Sequence, residues 1–164
     1  MAEIKWCIRK KSGLSLIEPN ANLSEGYFIK AEQAIESART EKVAEWKIAK
    51  TYYAMYFALY AVLQKIGIKC EIHACTMAFA KCFLQGYFSE EELVLISDAL
   101  SMRVDSQYYV NKDVPDEQFK EILQTAPSFL VKCKAVANRL DENNILEIRR
   151  RFKAETEKAK KKTA

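Results

Sequence analysis

The feature that most constrains this chain is an uncharged run, "TYYAMYFALYAVLQ", from Thr51 to Gln64. A bilayer-spanning helix needs about 20 apolar residues, so this run is too short to cross a membrane and reads as a core helix. Extended at both ends, the helix is expected from about Lys42 to Ile66, with Gly67 supplying the left-handed cap. At about 100° per residue, Trp46, Ala49, Tyr53, Tyr56, Phe57 and Tyr60 share one face, and alanines and aliphatics take the others. A helix that is apolar nearly all round lies at the centre of its bundle. Its phenol hydroxyls still need partners, so the tyrosine face is expected to meet a wet cleft or a second subunit. Plain core packing accounts for most of the same residues.

The rest of the chain supports one all-α domain. Its 164 residues are enough for a single core, and glycine (4) and proline (3) are too scarce for a turn-rich β protein. Asn22 to Arg39 shows helical spacing in Phe28, Ala31, Ile35 and Ala38. A short helix from His73 to about Gln85 is expected to stop at Gly86. Ser89 opens another with the capping box "SEEE", in which Ser89 and Glu92 satisfy each other's backbone N–H groups. A further helix is expected to start at Asp113 to Pro115, where proline is tolerated in a first turn. It carries Phe119, Ile122, Ala126, Phe129, Cys133, Val136 and Leu140 as a bundle seam, with Pro127 as a point of bending. These elements predict an antiparallel bundle of about five helices spanning residues 21–144. Residues 1–20 read as a lead-in segment lying across the body, and 145–164 as a basic helical or flexible tail.

Charge follows the same division. The net charge is +4, but residues 145–164 hold eight Lys or Arg against three Glu, so the rest is close to neutral. Such a tail either attracts a polyanion such as nucleic acid or is a solvated helix end. The five cysteines, Cys7, Cys70, Cys75, Cys82 and Cys133, are expected to be reduced thiols in a cytoplasmic protein. Cys70, His73, Cys75 and Cys82 lie close together in sequence, but none of their spacings is a paired zinc knuckle, so no metal or cofactor is expected.

The stretch "SMRVDSQYYV" carries the candidate chemistry. With Ile96 as origin, Leu93 and Leu100 mark the inward face of this helix, and Arg103 and Gln107 fall within about 20° of it. An inward arginine must meet a carboxylate, a polar cleft or a partner's surface, because desolvating it unpaired costs several kcal/mol. Spacing alone favours a structural salt bridge.

"AEQAIESAR", then "KTYYAMYFALYAVLQKIGIK", His73 and "RVDSQYY", taken in order over residues 25–140, resemble the HEPN family, nucleotide-binding domains of higher eukaryotes and prokaryotes. The resemblance implies a small helical bundle that forms a homodimer. Many such proteins are encoded beside a minimal nucleotidyltransferase as a toxin–antitoxin pair. Several are metal-independent ribonucleases that use an Arg, a polar residue after it and a His about five positions on. Arg103 matches the arginine, but the polar position falls on Val104 and the histidine position on Tyr108 or Tyr109. A tyrosine of pKa near 10 is a poor general base at neutral pH. The resemblance therefore implies a non-catalytic nucleotide-, RNA- or partner-binding module using Arg103, Gln107, Tyr108, Tyr53, Tyr56 and His73. The alternative is an endoribonuclease with Arg103 and Tyr108 or Tyr109 in the catalytic roles. His73, the only histidine, either helps hold a phosphate at a helix N-terminus or caps that helix.

Overall fold

The computed structural model describes residues 3–109 and 116–161. Over these residues the fold is all-α, with seven helices rather than five and one minimal strand pair. Five helices match the expected ones. They are α2 (Ala21–Thr40), α3 (Ala44–Ile66), α4 (His73–Phe83), α5 (Glu90–Tyr108) and α6 (Asp116–Arg139). The additional two, α1 (Ile4–Arg9) and α7 (Glu142–Lys161), stand at the chain ends. The expected helix start at Asp113 to Pro115 lies outside the described residues; α6 itself is continuous through Pro127.

Helix α3 is the axis of the molecule. It packs on α2, α5 and α6, and buries Tyr52, Met55, Ala58, Leu59, Val62, Leu63 and Ile66 against them. Local signals set its C-terminal end and the N-terminal end of α5. Gly67 takes φ 83°, and its N–H donates to the Gln64 carbonyl at 3.1 Å. Only glycine adopts that left-handed conformation without a Cβ penalty. At Ser89 the capping box is complete: Glu92 N donates to Ser89 Oγ (3.2 Å) and Ser89 N to Glu92 Oε2 (2.8 Å).

The chain ends close over the C-terminal end of α3. β1 (Ser15–Leu16) and β2 (Ile68–Lys69) pair antiparallel, Ser15 with Lys69 and Leu16 with Ile68. The helical reading did not anticipate this ladder, which gives backbone groups of the lead-in segment their partners. Arg149 of α7 then donates through Nη1 to the carbonyls of Ile17 (2.7 Å), Ile66 (2.9 Å) and Gly67 (3.0 Å). A cation at the C-terminus of α3 is favoured by the helix dipole and satisfies carbonyls that have no intrahelical donor. α7 also buries Ile148, Phe152 and Ala159, with the Phe152 ring edge-on to Phe79 and Phe83.

The reading of five reduced thiols is corrected at one pair. Cys7 of α1 and Cys75 of α4 form a disulfide across 68 residues, and both are fully buried. Nothing in their sequence spacing signals this, because the proximity arises from the docking of α1 on α4. Cys70, Cys82 and Cys133 are free thiols. Among the described residues no helix is long and apolar enough to cross a membrane, and no three His, Cys, Asp or Glu side chains converge as a metal site.

Candidate functional site

The N-terminal half of α3 and the C-terminal turns of α5 enclose a cleft of about 450 Å³. From α3 come Glu45, Trp46, Ala49, Lys50 and Tyr53; from α5 come Arg103, Gln107 and Tyr108. Trp46, Ala49 and Tyr53 are the first part of the stripe that the helical wheel identifies, while Glu45 and Lys50 flank it and carried no signal of their own. Lys50 is already committed to the Glu41 carboxylate at 2.5 Å. That pairing, with the backbone N–H groups of Val43 and Lys42, holds the Glu41 carboxyl down at about 2.

Arg103 is the cation left available. It is half-buried, and its Nη2 donates to the Tyr53 hydroxyl at 3.4 Å. Its guanidinium carbon lies 5.7 Å from the Tyr53 ring centre and 5.6 Å from that of Tyr108, so two aromatic rings attend one cation. Its Nε is buried without a hydrogen-bond partner. Among the described residues no carboxylate pairs with it. The structural salt bridge that spacing favoured is therefore absent there, and the arginine meets a polar cleft. Wheel geometry gave its direction, but the identity of what it would meet depended on α3, fifty residues away.

Behind Tyr53 lies a group of stacked rings around His73, the first residue of α4. The Tyr52 hydroxyl is 2.6 Å from His73 Nδ1, the Tyr56 ring stacks on the imidazole at 4.0 Å, and Tyr53 stands edge-on to it at 6.0 Å. Tyr52 is fully buried, so its phenol must donate to be satisfied, which leaves the imidazole proton on Nε2. Burial raises the pKa of Tyr52 and Tyr56, so both phenols stay protonated. Burial, with the nearby Arg103 charge, lowers that of His73 below its usual value near 6.5. His73 is thus a neutral ring held by its neighbours. Its Nδ1 goes to Tyr52, and α4 has no side-chain cap, so helix capping is not its role.

The structure thus brings Arg103, Gln107, Tyr108 and Tyr53 to one cleft, with Tyr56 and His73 in the rings adjoining Tyr53. Tyr109 stands apart from it, exposed beyond the end of α5. Tyr52, the hydrogen-bond partner of His73, escaped sequence reasoning, because it sits at the edge of the tyrosine stripe, beside Tyr56, on the side that turns into the core. Two of the phenols expected to need a cleft or second subunit find partners in their own chain, Tyr53 at Arg103 and Tyr60 at the Cys70 N–H (3.3 Å).

No family model matches the chain. It is 28% identical over 114 residues to a UPF0332 protein of Archaeoglobus fulgidus, an alignment covering 67% of this chain and 91% of that protein.

Proposed function

We propose that this protein is a HEPN-type binding module whose Arg103 cleft takes a nucleotide or an RNA end, without cleaving it. The observation that carries this reading is Arg103 itself: a guanidinium lacking a carboxylate among the described residues, with a buried free Nε, held beside Tyr53 and Tyr108 in a cleft edged by Trp46. A guanidinium so placed binds a phosphate, and an exposed indole offers a stacking face for a base. Trp46 is 54% exposed and Tyr108 67%. The "RVDSQYY" resemblance supports the HEPN-type part of this reading.

The module acts as a homodimer beside a minimal nucleotidyltransferase, in a toxin–antitoxin-like pairing in the cytoplasm. Full burial of Cys7 and Cys75 shields their disulfide from thiol exchange there. The test is titration of the purified protein with adenosine monophosphate and a short oligoadenylate, following Trp46 fluorescence in a Trp6→Phe background. Saturable quenching, weakened at least tenfold by Arg103→Gln, is expected. No change up to millimolar concentrations of both ligands rules the reading out.

The second reading is a metal-independent endoribonuclease in which Arg103 stabilises the phosphorane. The observation in its favour is that Tyr108 lies against Arg103 in the same cleft. It asks a tyrosine to act as general base, and His73, with Nδ1 engaged and its proton on Nε2, offers a donor rather than a base.

A further inference from the structure

The two ends of the chain form one face. α1 packs against both α4 and α7. Ile4, Cys7 and Ile8 turn into the body, so the rest of this short helix presents the half-buried Lys5 with the exposed Trp6 and Arg9, and Lys10 and Lys11 follow directly after it. Among the described residues none of these four cations has a carboxylate partner. Some lysines of the body do have one (Lys50, Lys69, Lys81, Lys132 and Lys134) and others, such as Lys30, Lys47 and Lys65, do not. What sets this face apart is four such cations within seven residues, beside an exposed tryptophan. On α7, Lys153 stands one turn after Arg149, on the side of the helix that reaches the Ile17 and Gly67 carbonyls where the N-terminal segment runs. Lys153 is exposed and likewise has no carboxylate partner among the described residues. Trp6 lies among these charges, 39% exposed, with Lys10 Nζ 5.1 Å from its ring centre.

We infer that this face binds single-stranded nucleic acid, with Lys5, Arg9, Lys10, Lys11 and Lys153 on the phosphates and Trp6 stacking on a base. Unpaired cations displace the counterions of a phosphate backbone without first giving up a protein partner. An aromatic ring set among them is the arrangement that holds single strands with little sequence preference. An anionic membrane fits less well, because α1 spends Ile4, Cys7 and Ile8 on the core and keeps no apolar stripe to insert. The face is separate from the Arg103 cleft: it is built on α1 and α7, and neither helix supplies a residue to the lining of that cleft. It therefore stands or falls independently of what that cleft binds.

Fluorescence anisotropy with a labelled 12-nucleotide oligouridylate and the matching oligothymidylate, over a series of NaCl concentrations, tests the inference. Binding is expected to weaken with salt at a log–log slope of about −3, the value for four to five phosphates on a single strand. K5Q/R9Q/K10Q/K11Q, shown to be folded by circular dichroism, is expected to lose at least thirtyfold in affinity at low salt and most of that slope. Trp6→Ala is expected to lose at least fivefold with the slope unchanged, since stacking releases no counterion. A preference for either oligonucleotide supports the proposal and identifies the strand. The proposal is overturned if the quadruple variant binds like the parent, if Trp6→Ala has no effect, or if phosphatidylserine vesicles are bound and neither oligonucleotide is.

Discussion

The phenol of Tyr52 and the imidazole of His73 meet at 2.6 Å, joining the centre of α3 to the first turn of α4. The tyrosine is fully buried and the histidine half-buried. The contact holds the imidazole in place beside the arginine cleft, where burial and the Arg103 charge lower its pKa.

Because His73 is the only histidine, its titration is directly readable by NMR. Its midpoint is expected below 6.5, depressed by burial and by the Arg103 charge, and Arg103→Gln should raise it. The folded state resists the proton that the unfolded chain takes up near pH 6.5. The stability linked to His73 is thus complete above that pH and is lost as pH falls toward the folded midpoint. A midpoint at or above 6.5 contradicts this account.

Arg103→Gln is expected to cost about 1 kcal/mol or less in denaturant unfolding, the range of an ordinary surface change. The reason is that no described carboxylate is left stranded, the situation that makes breaking a buried pair cost about 3–5 kcal/mol. A midpoint shift equivalent to more than about 3 kcal/mol would show a structural ion pair instead.

Thiol counting in denaturant should find three reactive cysteines before reduction and five after it. Opening the 68-residue link by Cys7→Ser and Cys75→Ser together is expected to destabilise the protein by about 4 kcal/mol, chiefly through the freed unfolded chain. Five reactive thiols in the unreduced protein would show that the bond does not form.

Sedimentation should show a homodimer at micromolar concentration, its interface near Tyr53, Tyr56 and Arg103 and including the exposed Trp46 and Tyr108. Several tyrosine hydroxyls are satisfied within one chain, so the motive for association is the exposed aromatic area at the cleft rim. Trp46→Lys is expected to shift the protein to monomer; a parent that is already monomeric removes the dimer from the proposal.

What the sequence determined by itself is local. The bounds of α3, its left-handed end at Gly67, the capping box of Ser89 with Glu92 and the inward direction of Arg103 all depend on residues within a few turns of one another, so periodicity and capping chemistry make them legible. What only the tertiary structure decided is which distant groups meet. Cys7 finds Cys75, Tyr52 finds His73, Arg149 reaches Ile17 and Gly67, and Arg103 faces Tyr53. Spacing along a helix states the face on which a side chain lies, but not the element that will cover that face. That is settled by how α1 and α7 close over the end of α3, where burial of Ile148, Phe152 and Ala159 offsets the loss of chain entropy. For the same reason the lead-in segment and the basic tail, separate in sequence, become neighbouring parts of one surface.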